Sequence, residues 1–423
     1  MKVLLLNQAF YPDSVATSQY VTDLAKYLVA QGHEVSVLCD RRDYTQRDRI
    51  YPAYEEFEGI QIHRLPSTGL GKRNFFTRLA DAITYELCAL WKLVVRIPRH
   101  DAVIAFTSPP LAGFQGALIA KIWRARFVYW IMNVNHEMAM EMGYLTRGSP
   151  LAFILTVLYR FTLRRADSIV VMDRWMKARV EKAGAIEPSR ILIVPLWPVH
   201  DPVVEEDDAG SKRTNSFREN LGLGGKFVVA HSGNLSLIHP LDTVLGAAVR
   251  LKDDRSIAFA FFGYGIREKD IDETVRRHGL TNVLKFPYQP REKLGHSLGF
   301  ADLQLVVMGN AASGLAHSSK IYSILATGRP YLYIGPRDSH IVGDILEVCR
   351  SGYHIEHGDI EGFLRVIELV RNLTPEERRK YRQRSVAFVA SRFTRELILP
   401  RFVHEALEQG FRSQNLSKTL TMK

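Results

Sequence analysis

Residues 2–38 read KVLLLNQAFYPDSVATSQYVTDLAKYLVAQGHEVSVL. The run KVLLLN at Lys2 to Asn7 has the pattern of a buried strand. A helical period follows from about Ser18 to Gln31, Gly32 ends that helix, and GHEVSVL opens a second strand. The stretch is therefore a βαβ unit.

Working outward, further strands are expected at Ile60 to Leu65, Ala102 to Phe106, Arg126 to Met132, Ser168 to Val171 and Ile191 to Val194. Helical stretches separate most of them, so the first half is an open, largely parallel α/β sheet. From Pro195 to Thr214 the sequence PLWPVHDPVVEEDDAGSKRT turns to proline, acid and small polar residues without periodicity, the character of a linker. Alternation resumes with strands expected at Phe227 to His231, Ile257 to Phe262, Val283 to Phe286, Leu303 to Val307 and Tyr331 to Ile334. The fold class is α/β, with two Rossmann-like, doubly wound domains facing a cleft. The expected domains are residues 1–200, a linker at 201–215, and residues 216–395. A C-terminal helix in 396–423 is expected to pack back towards the first domain and to end in a disordered tail.

The length of 423 residues suits two domains, and the composition is globular, with 46% hydrophobic and 24% charged residues. Three cysteines, Cys39, Cys88 and Cys349, are odd in number and far apart, which argues against a disulfide framework or a zinc site. A reducing cytoplasm is the expected compartment. The opening residues are not expected to act as a signal peptide, since KVLLLN soon meets polar residues without a basic leader, long apolar core or cleavage site. Ala102 to Ala120 approaches membrane-spanning length, but Pro109, Pro110, Gly113, Gln115 and Gly116 break it into strand, turn and helix. The net charge of +11 points to an acidic partner: nucleic acid, anionic lipid or a phosphorylated substrate.

Several stretches at strand ends carry the candidate chemistry. In SKIYSILATGRPYLYIGP, Ser319 to Pro336, Lys320 opens a helix whose N-terminus already carries partial positive charge. A cation there makes sense if an anion also sits there, since helix N-termini bind phosphate; a solvated first-turn lysine is the plainer alternative. In YPDSVATSQ, Tyr11 to Gln19, small and hydroxylated residues let a ligand approach the backbone, although an ordinary capped turn has the same look. In HSGNLSLIHPLD, His231 to Asp242, Gly233 permits a close turn, Asn234 and Ser236 offer neutral hydrogen bonds, and His239 is placed to meet a phosphate or sugar hydroxyl or to serve the structure. In FFGYGIRE, Gly263 and Gly265 begin like a dinucleotide fingerprint, yet Glu268 stands where the last glycine belongs, so NAD is not indicated. Asp270 and Asp272 have the acid-x-acid form of metal-dependent sugar transferases but fall within a helical stretch, and no metal site is expected.

Together these stretches, with PYQPREKLG, resemble glycosyltransferase family 4 of the GT-B architecture over nearly the whole chain. The likeness is to the bacterial branch that includes the WbuB-type surface-polysaccharide transferases. The resemblance implies a retaining transferase of hexosyl or N-acetylhexosaminyl type that uses no metal or other cofactor, with a nucleotide sugar, expected to be a UDP-sugar, as substrate. The N-terminal domain would be the acceptor side and the C-terminal domain the nucleotide-sugar side. By the same resemblance, Gly233, Asn234 and His239 lie near the donor phosphates, and Lys320, approached through Ser318 and Ser319, contacts the diphosphate or donor sugar. Gly263 and Gly265 belong to the donor-binding loops, Pro287 and Tyr288 sit beside the nucleobase, and Thr17 and Ser18 correspond to a small-residue acceptor-domain loop closing over the donor. Asn133, Asn135, His136 and Glu137 follow a first-domain strand and are expected to hold sugar or acceptor. Lys320, His239, Asn133 and Glu137 are the catalytic candidates.

The sequence departs from the family where two glutamates usually precede Ala-x-Gly-x-Pro, because these positions are Leu315 and Ser323. With no carboxylate nucleophile evident, front-face departure and attack is expected, the leaving phosphate assisting deprotonation of the acceptor.

Between Lys72 and Arg99, Phe76, Leu79, Ile83, Leu87, Leu90 and Val94 are spaced as one helical face among basic residues, and LAFILTVLY at Leu151 to Tyr159 adds a second apolar run. Such a mixture suits either a helix on an anionic membrane surface or packing on the sheet. The partners expected are a nucleotide-sugar donor, a lipid-linked (polyprenyl-diphosphate) or saccharide acceptor in envelope or exopolysaccharide assembly, and the cytoplasmic face of the membrane. Nucleic acid is not expected, as no recognition module is present. The alternatives are a sugar-nucleotide 2-epimerase of the same architecture and a catalytically degenerate, membrane-associated partner protein.

Overall fold

The computed structural model describes residues 1–44, 48–66, 75–184, 186–200 and 216–409, and side chains of the long helix that begins at Phe75 only from residue 84. The chain forms two compact units, Met1–Pro195 with the segment from Glu396 onward, and Leu196–Arg395. The expected linker at 201–215 and the expected disordered tail beyond 409 lie outside the described residues.

Unit 1 is built on eight strands: β1 (Lys2–Leu6), β2 (Glu34–Asp40), β3 (Tyr54–Phe57), β4 (Ile60–Leu65), β5 (Ala102–Phe106), β6 (Arg126–Trp130), β7 (Ser168–Val171) and β8 (Ile191–Ile193). Their order is β3-β4-β2-β1-β5-β6-β7-β8, parallel except for the β3–β4 hairpin at one edge. Strands β5 and β7 are buried at every position, as continuous apolar runs in a covered parallel sheet should be. The connecting helices are α1 (Ala16–Ala30), α2 (Phe75–Val95), α3 (Ala112–Trp123), α4 (Asn135–Glu141), α5 (Pro150–Arg165) and α6 (Arg174–Gly184), with α2, α3 and α5 packed side by side.

Helix α1 begins two residues before the expected Ser18, so Thr17 and Ser18 stand in its first turn and not in a loop. The cause is Asp13, whose carboxylate accepts from Val15 N and Tyr44 N and ends the preceding turn early. On α2, Tyr85, Ala89 and Leu93 face the core, whereas Leu87, Trp91 and Val94 are 64%, 55% and 56% exposed. Of the described part of the expected apolar face, Leu87 and Val94 are thus exposed and Leu90 is half-buried. Phe76, Leu79 and Ile83 lie outside the described side chains.

Unit 2 holds β9 (Phe227–Ser232), β10 (Ile257–Phe262), β11 (Val283–Phe286), β12 (Leu303–Val307), β13 (Tyr331–Ile334) and β14 (Gly352–Ile355). All six are parallel, in the order β11-β10-β9-β12-β13-β14. Its helices include α7 (Ser216–Asn220), α8 (Asp242–Arg250), α9 (Glu268–His278), α10 (Arg291–Gly299) and α11 (Lys320–Thr327). The strand order reverses between β9 and β12, and ligands of open α/β sheets bind outside the carboxyl ends of strands at such a point.

Residues 196–200, which read as the start of the linker, are packed into unit 2. Leu196 and Trp197 are buried, Val199 N donates to Ser323 Oγ at 3.3 Å, and His200 Nε2 meets Ser323 O at 3.1 Å. Apolar side chains between the prolines supply this anchoring. At the other end the segment from Glu396 returns to unit 1, where Phe402 stacks on Trp130 with ring centroids 4.7 Å apart and Arg126 Nε donates to Ala406 O at 3.0 Å. Among the described residues no helix is long and apolar enough to cross a membrane.

Candidate active site

The carboxyl ends of β9, β10 and β11 and the start of α11 meet in unit 2. Gly233 follows β9 with φ +134° and Gly263 follows β10 with φ +130°, backbone states that a side chain rarely permits. Their main chains lie so close that a Cβ on Gly263 would sit 2.2 Å from Gly233 O. Gly265 N is held by Glu268 Oε1 at 2.7 Å. The glutamate that breaks the dinucleotide spacing thus holds the turn by its side chain.

Beside Gly233 runs Lys320, whose Nζ and Cε would stand 3.1 and 3.2 Å from a Cβ there. Its Nζ lies 3.2 Å from Nε2 of His231, a fully buried histidine in β9. With Lys320 charged, Nε2 accepts that bond and Nδ1 carries the ring proton. Nδ1 is itself buried without a partner among the described residues. The rings of His231 and His239 are 6.2 Å apart, and His239 Nδ1 meets Ser236 Oγ at 3.0 Å.

Burial lowers the Lys320 pKa to about 7. Burial, and then the neighbouring ammonium, bring His239 to about 3, and the same causes hold His231 well below its usual value. Both histidines are therefore neutral at pH 7, and the lysine is poised between charge states. A group that stabilises its ammonium belongs there, and a phosphate oxygen has that chemistry. Ser319 and Ser318 precede Lys320, and the Ser318 hydroxyl is buried with no partner among the described residues.

Next to Gly263, Tyr264 and Tyr288 form an edge-to-face pair at 5.6 Å, with Tyr264 48% exposed. Pro287, just after β11, precedes Tyr288. An exposed aromatic surface at this strand end suits stacking of a planar base. The two positions where glutamates were missing are core positions here: Leu315 is 1% exposed, and Ser323 is buried and bonded to Val199.

Unit 1 carries Asn133, Asn135 and Glu137 at the end of β6 and the start of α4. Asn133 N donates to Thr107 Oγ1 at 3.3 Å and Asn135 Nδ2 to Thr107 O at 2.5 Å, tying the loop to the end of β5. Glu137 accepts from Arg179 Nε at 2.6 Å. The loop borders a cavity of about 160 Å³ between α3, α4 and α5. Thr17 is half-buried and Ser18 fully buried in the first turn of α1.

The structure thus gathers Lys320, Gly233, His239, Gly263 and Tyr288 in unit 2, while Asn133 and Glu137 share the β6–α4 segment of unit 1. His231 and Tyr264 were not singled out from sequence. A histidine inside a strand reads as core, and its distance of 89 residues from Lys320 left no local signal.

Residues 16–197 match the glycosyl transferase 4-like domain. The putative colanic acid biosynthesis glycosyl transferase WcaI of Escherichia coli K12 is 26% identical over 338 residues, covering 78% of this chain and 82% of the relative. The probable glycosyltransferase WbjE of Pseudomonas aeruginosa is 25% identical over 288 residues, covering 67% and 69%. The chain is thus similar to glycosyltransferases over two thirds or more of its length, with a glycosyl transferase 4-like domain in its first half. Its fold is that of the GT-B transferases. WaaG, a glycosyltransferase of lipopolysaccharide biosynthesis, superposes with a TM-score of 0.69 at 14% identity, over 96% of this chain and all of that one. Anabaena HepE, solved with UDP and glucose, superposes at 0.66 and 15% identity over the full length of both. The domain match of this transferase ends at 197, so the Lys320 cluster lies in a part of the chain that the match does not reach.

Proposed function

We propose that the protein transfers a sugar from a UDP-sugar, with retention and without a metal ion, to a lipid-linked saccharide in envelope or exopolysaccharide assembly. The observation that carries the reading is the Lys320 ammonium, held over the Gly233 turn by neutral His231. In this reading the diphosphate lies against Lys320 and the uracil against Tyr264 and Tyr288. As the bond from C1 of the sugar to the diphosphate oxygen breaks, negative charge grows on the β-phosphate, and Lys320 stabilises it more than the ground state. The acceptor oxygen attacks C1 from the same face, and its proton passes to the departing phosphate oxygen. No carboxylate is required at Leu315 or Ser323. Asn133 and Glu137 belong to the acceptor side, with Glu137 held in place by Arg179.

Two observations support the choice of donor and acceptor. UDP and glucose are the ligands named for the Anabaena neighbour. In unit 1, Leu87, Trp91 and Val94 of α2 and Phe153, Ile154 and Val157 of α5 are exposed on helices that also carry arginine or lysine, as a protein resting on an anionic membrane surface requires.

The test is a thermal-shift panel of UDP, GDP, ADP and CMP in EDTA and in magnesium, followed by transfer from radiolabelled UDP-sugars to a lipid extract. Selective stabilisation by UDP in EDTA and label in the lipid phase are expected. Equal shifts from all nucleotides, or a strict need for magnesium, would contradict the donor assignment.

A further inference from the structure

The cavity beside the Asn133 loop is lined by unit 1 residues that the proposed donor site does not use, and its size and lining are informative. Its walls are mainly apolar, formed by Leu111, Phe114, Tyr129, Ala139, Leu155 and Leu158, while Asn133, Asn135 and His136 line it on the β6–α4 side. At about 160 Å³ it matches the engineered cavities of roughly 150 Å³ that hold benzene. A volume that holds benzene also holds a methyl-branched five-carbon unit.

One wall residue sets a further requirement. The Tyr159 hydroxyl, on a side chain that is nine-tenths buried, has no partner among the described residues. That hydroxyl is closed to a water-sized atom and offers no hydrogen bond to an occupant, so this wall is met by hydrocarbon. The His136 ring packs 4.6 Å from the Tyr159 ring, and burial lowers the His136 pKa, so the polar side stays uncharged near neutrality.

The cavity also has an approach. On α5, Leu151, Ile154, Leu155 and Leu158 fall at i, i+3, i+4 and i+7, one stripe of a helix. Leu155 and Leu158 line the cavity, while Leu151 and Ile154 are 48% and 52% exposed. The stripe offers about 10 Å of apolar track between the start of α5 and the cavity. Arg160, Arg164 and Arg165 follow on the same helix, which has no acidic residue.

We infer that this cavity is a binding site for the head-proximal, methyl-branched unit of a prenyl phosphate, with the rest of its chain laid along the α5 stripe. The inference rests on the lipid-linked acceptor proposed above and names where its hydrocarbon is held. The site gives the transferase a means of choosing branched over straight-chain lipids.

The test uses the full-length protein and two soluble probes, citronellyl phosphate and n-decyl phosphate, titrated calorimetrically, with UDP titrated separately. Wild type is expected to bind citronellyl phosphate about fourfold more tightly than the straight chain, the scale of the one branch methyl that the cavity would bury. Ala139→Phe fills the cavity and is expected to weaken citronellyl phosphate at least tenfold while UDP affinity is unchanged. Leu155→Trp, at a half-exposed position, serves the same purpose if the first variant melts early. Equal affinity for both probes, or citronellyl phosphate binding unchanged in the filled variants, would overturn the inference. UDP binding without any citronellyl phosphate binding would also overturn it and leave the donor reading standing. Citronellyl phosphate binding with the predicted selectivity but no UDP binding would uphold the site and sink the donor reading.

Discussion

In the proposed reading, Lys320 couples binding of the diphosphate to uptake of a proton. Burial holds its pKa near 7 in the free protein, and a diphosphate beside it favours the ammonium, so binding above pH 7 takes up a proton. UDP affinity is therefore expected to fall as pH rises from about 7, by at most about tenfold per pH unit. Calorimetry at pH 8 in two buffers of different ionisation enthalpy should reveal the uptake in wild type and none in Lys320→Arg, whose guanidinium stays charged. The stability effect has the opposite sign. A base whose folded pKa is depressed costs stability while charged, and that cost fades as pH rises from about 7 towards 10.5. His231→Leu removes the acceptor 3.2 Å from Nζ and should weaken UDP about tenfold, the scale of one hydrogen bond to a charged group. The position of Lys320 at the start of α11 was legible in the sequence, and it stood out there because a cation at a helix start conflicts with the helix dipole unless an anion shares the site. His231 was not, because its meaning depends on a contact between strand and helix that spacing cannot show.

The loops that would shape the proposed donor site, after β9 and β10, are packed at backbone distance. In Gly263→Ala the new methyl would meet Gly233 O, so either the β9 turn or the β10 turn must move. A loss of roughly 1–3 kcal/mol in urea denaturation is expected, together with weaker UDP binding measured on the folded fraction. Most strands were legible, since buried parallel strands are short apolar runs between turns; β4, β5, β7 and β10 to β13 match their expected spans. Two were not. β3 is a half-exposed edge strand, YEEF, and β14, GYHI, carries a glycine and a histidine, so neither presents a continuous apolar run. The start of α1 was read late for a similar reason, because Asp13 ends the turn through side-chain bonds to residues 15 and 44.

At the scale of the molecule, the chain passes from unit 1 to unit 2 after Pro195 and returns at Glu396. The return is anchored by Phe402, fully buried and stacked on Trp130. Phe402→Ala should lower the stability of unit 1 by about 3–5 kcal/mol, read as an earlier unfolding step in chemical denaturation. The two-unit organisation was legible because alternating strand and helix patterns stop and resume around a proline-rich stretch. The packing of residues 196–200 was not, since prolines there masked the burial of Leu196 and Trp197. The central claim is that the nucleotide diphosphate is held by Lys320 without a metal. The most direct test is calorimetric titration of UDP into wild type and Lys320→Ala at pH 7 in EDTA. The account predicts binding by wild type and a loss of about tenfold to a hundredfold in the variant, with its melting temperature maintained. Equal affinity in the two proteins would contradict it.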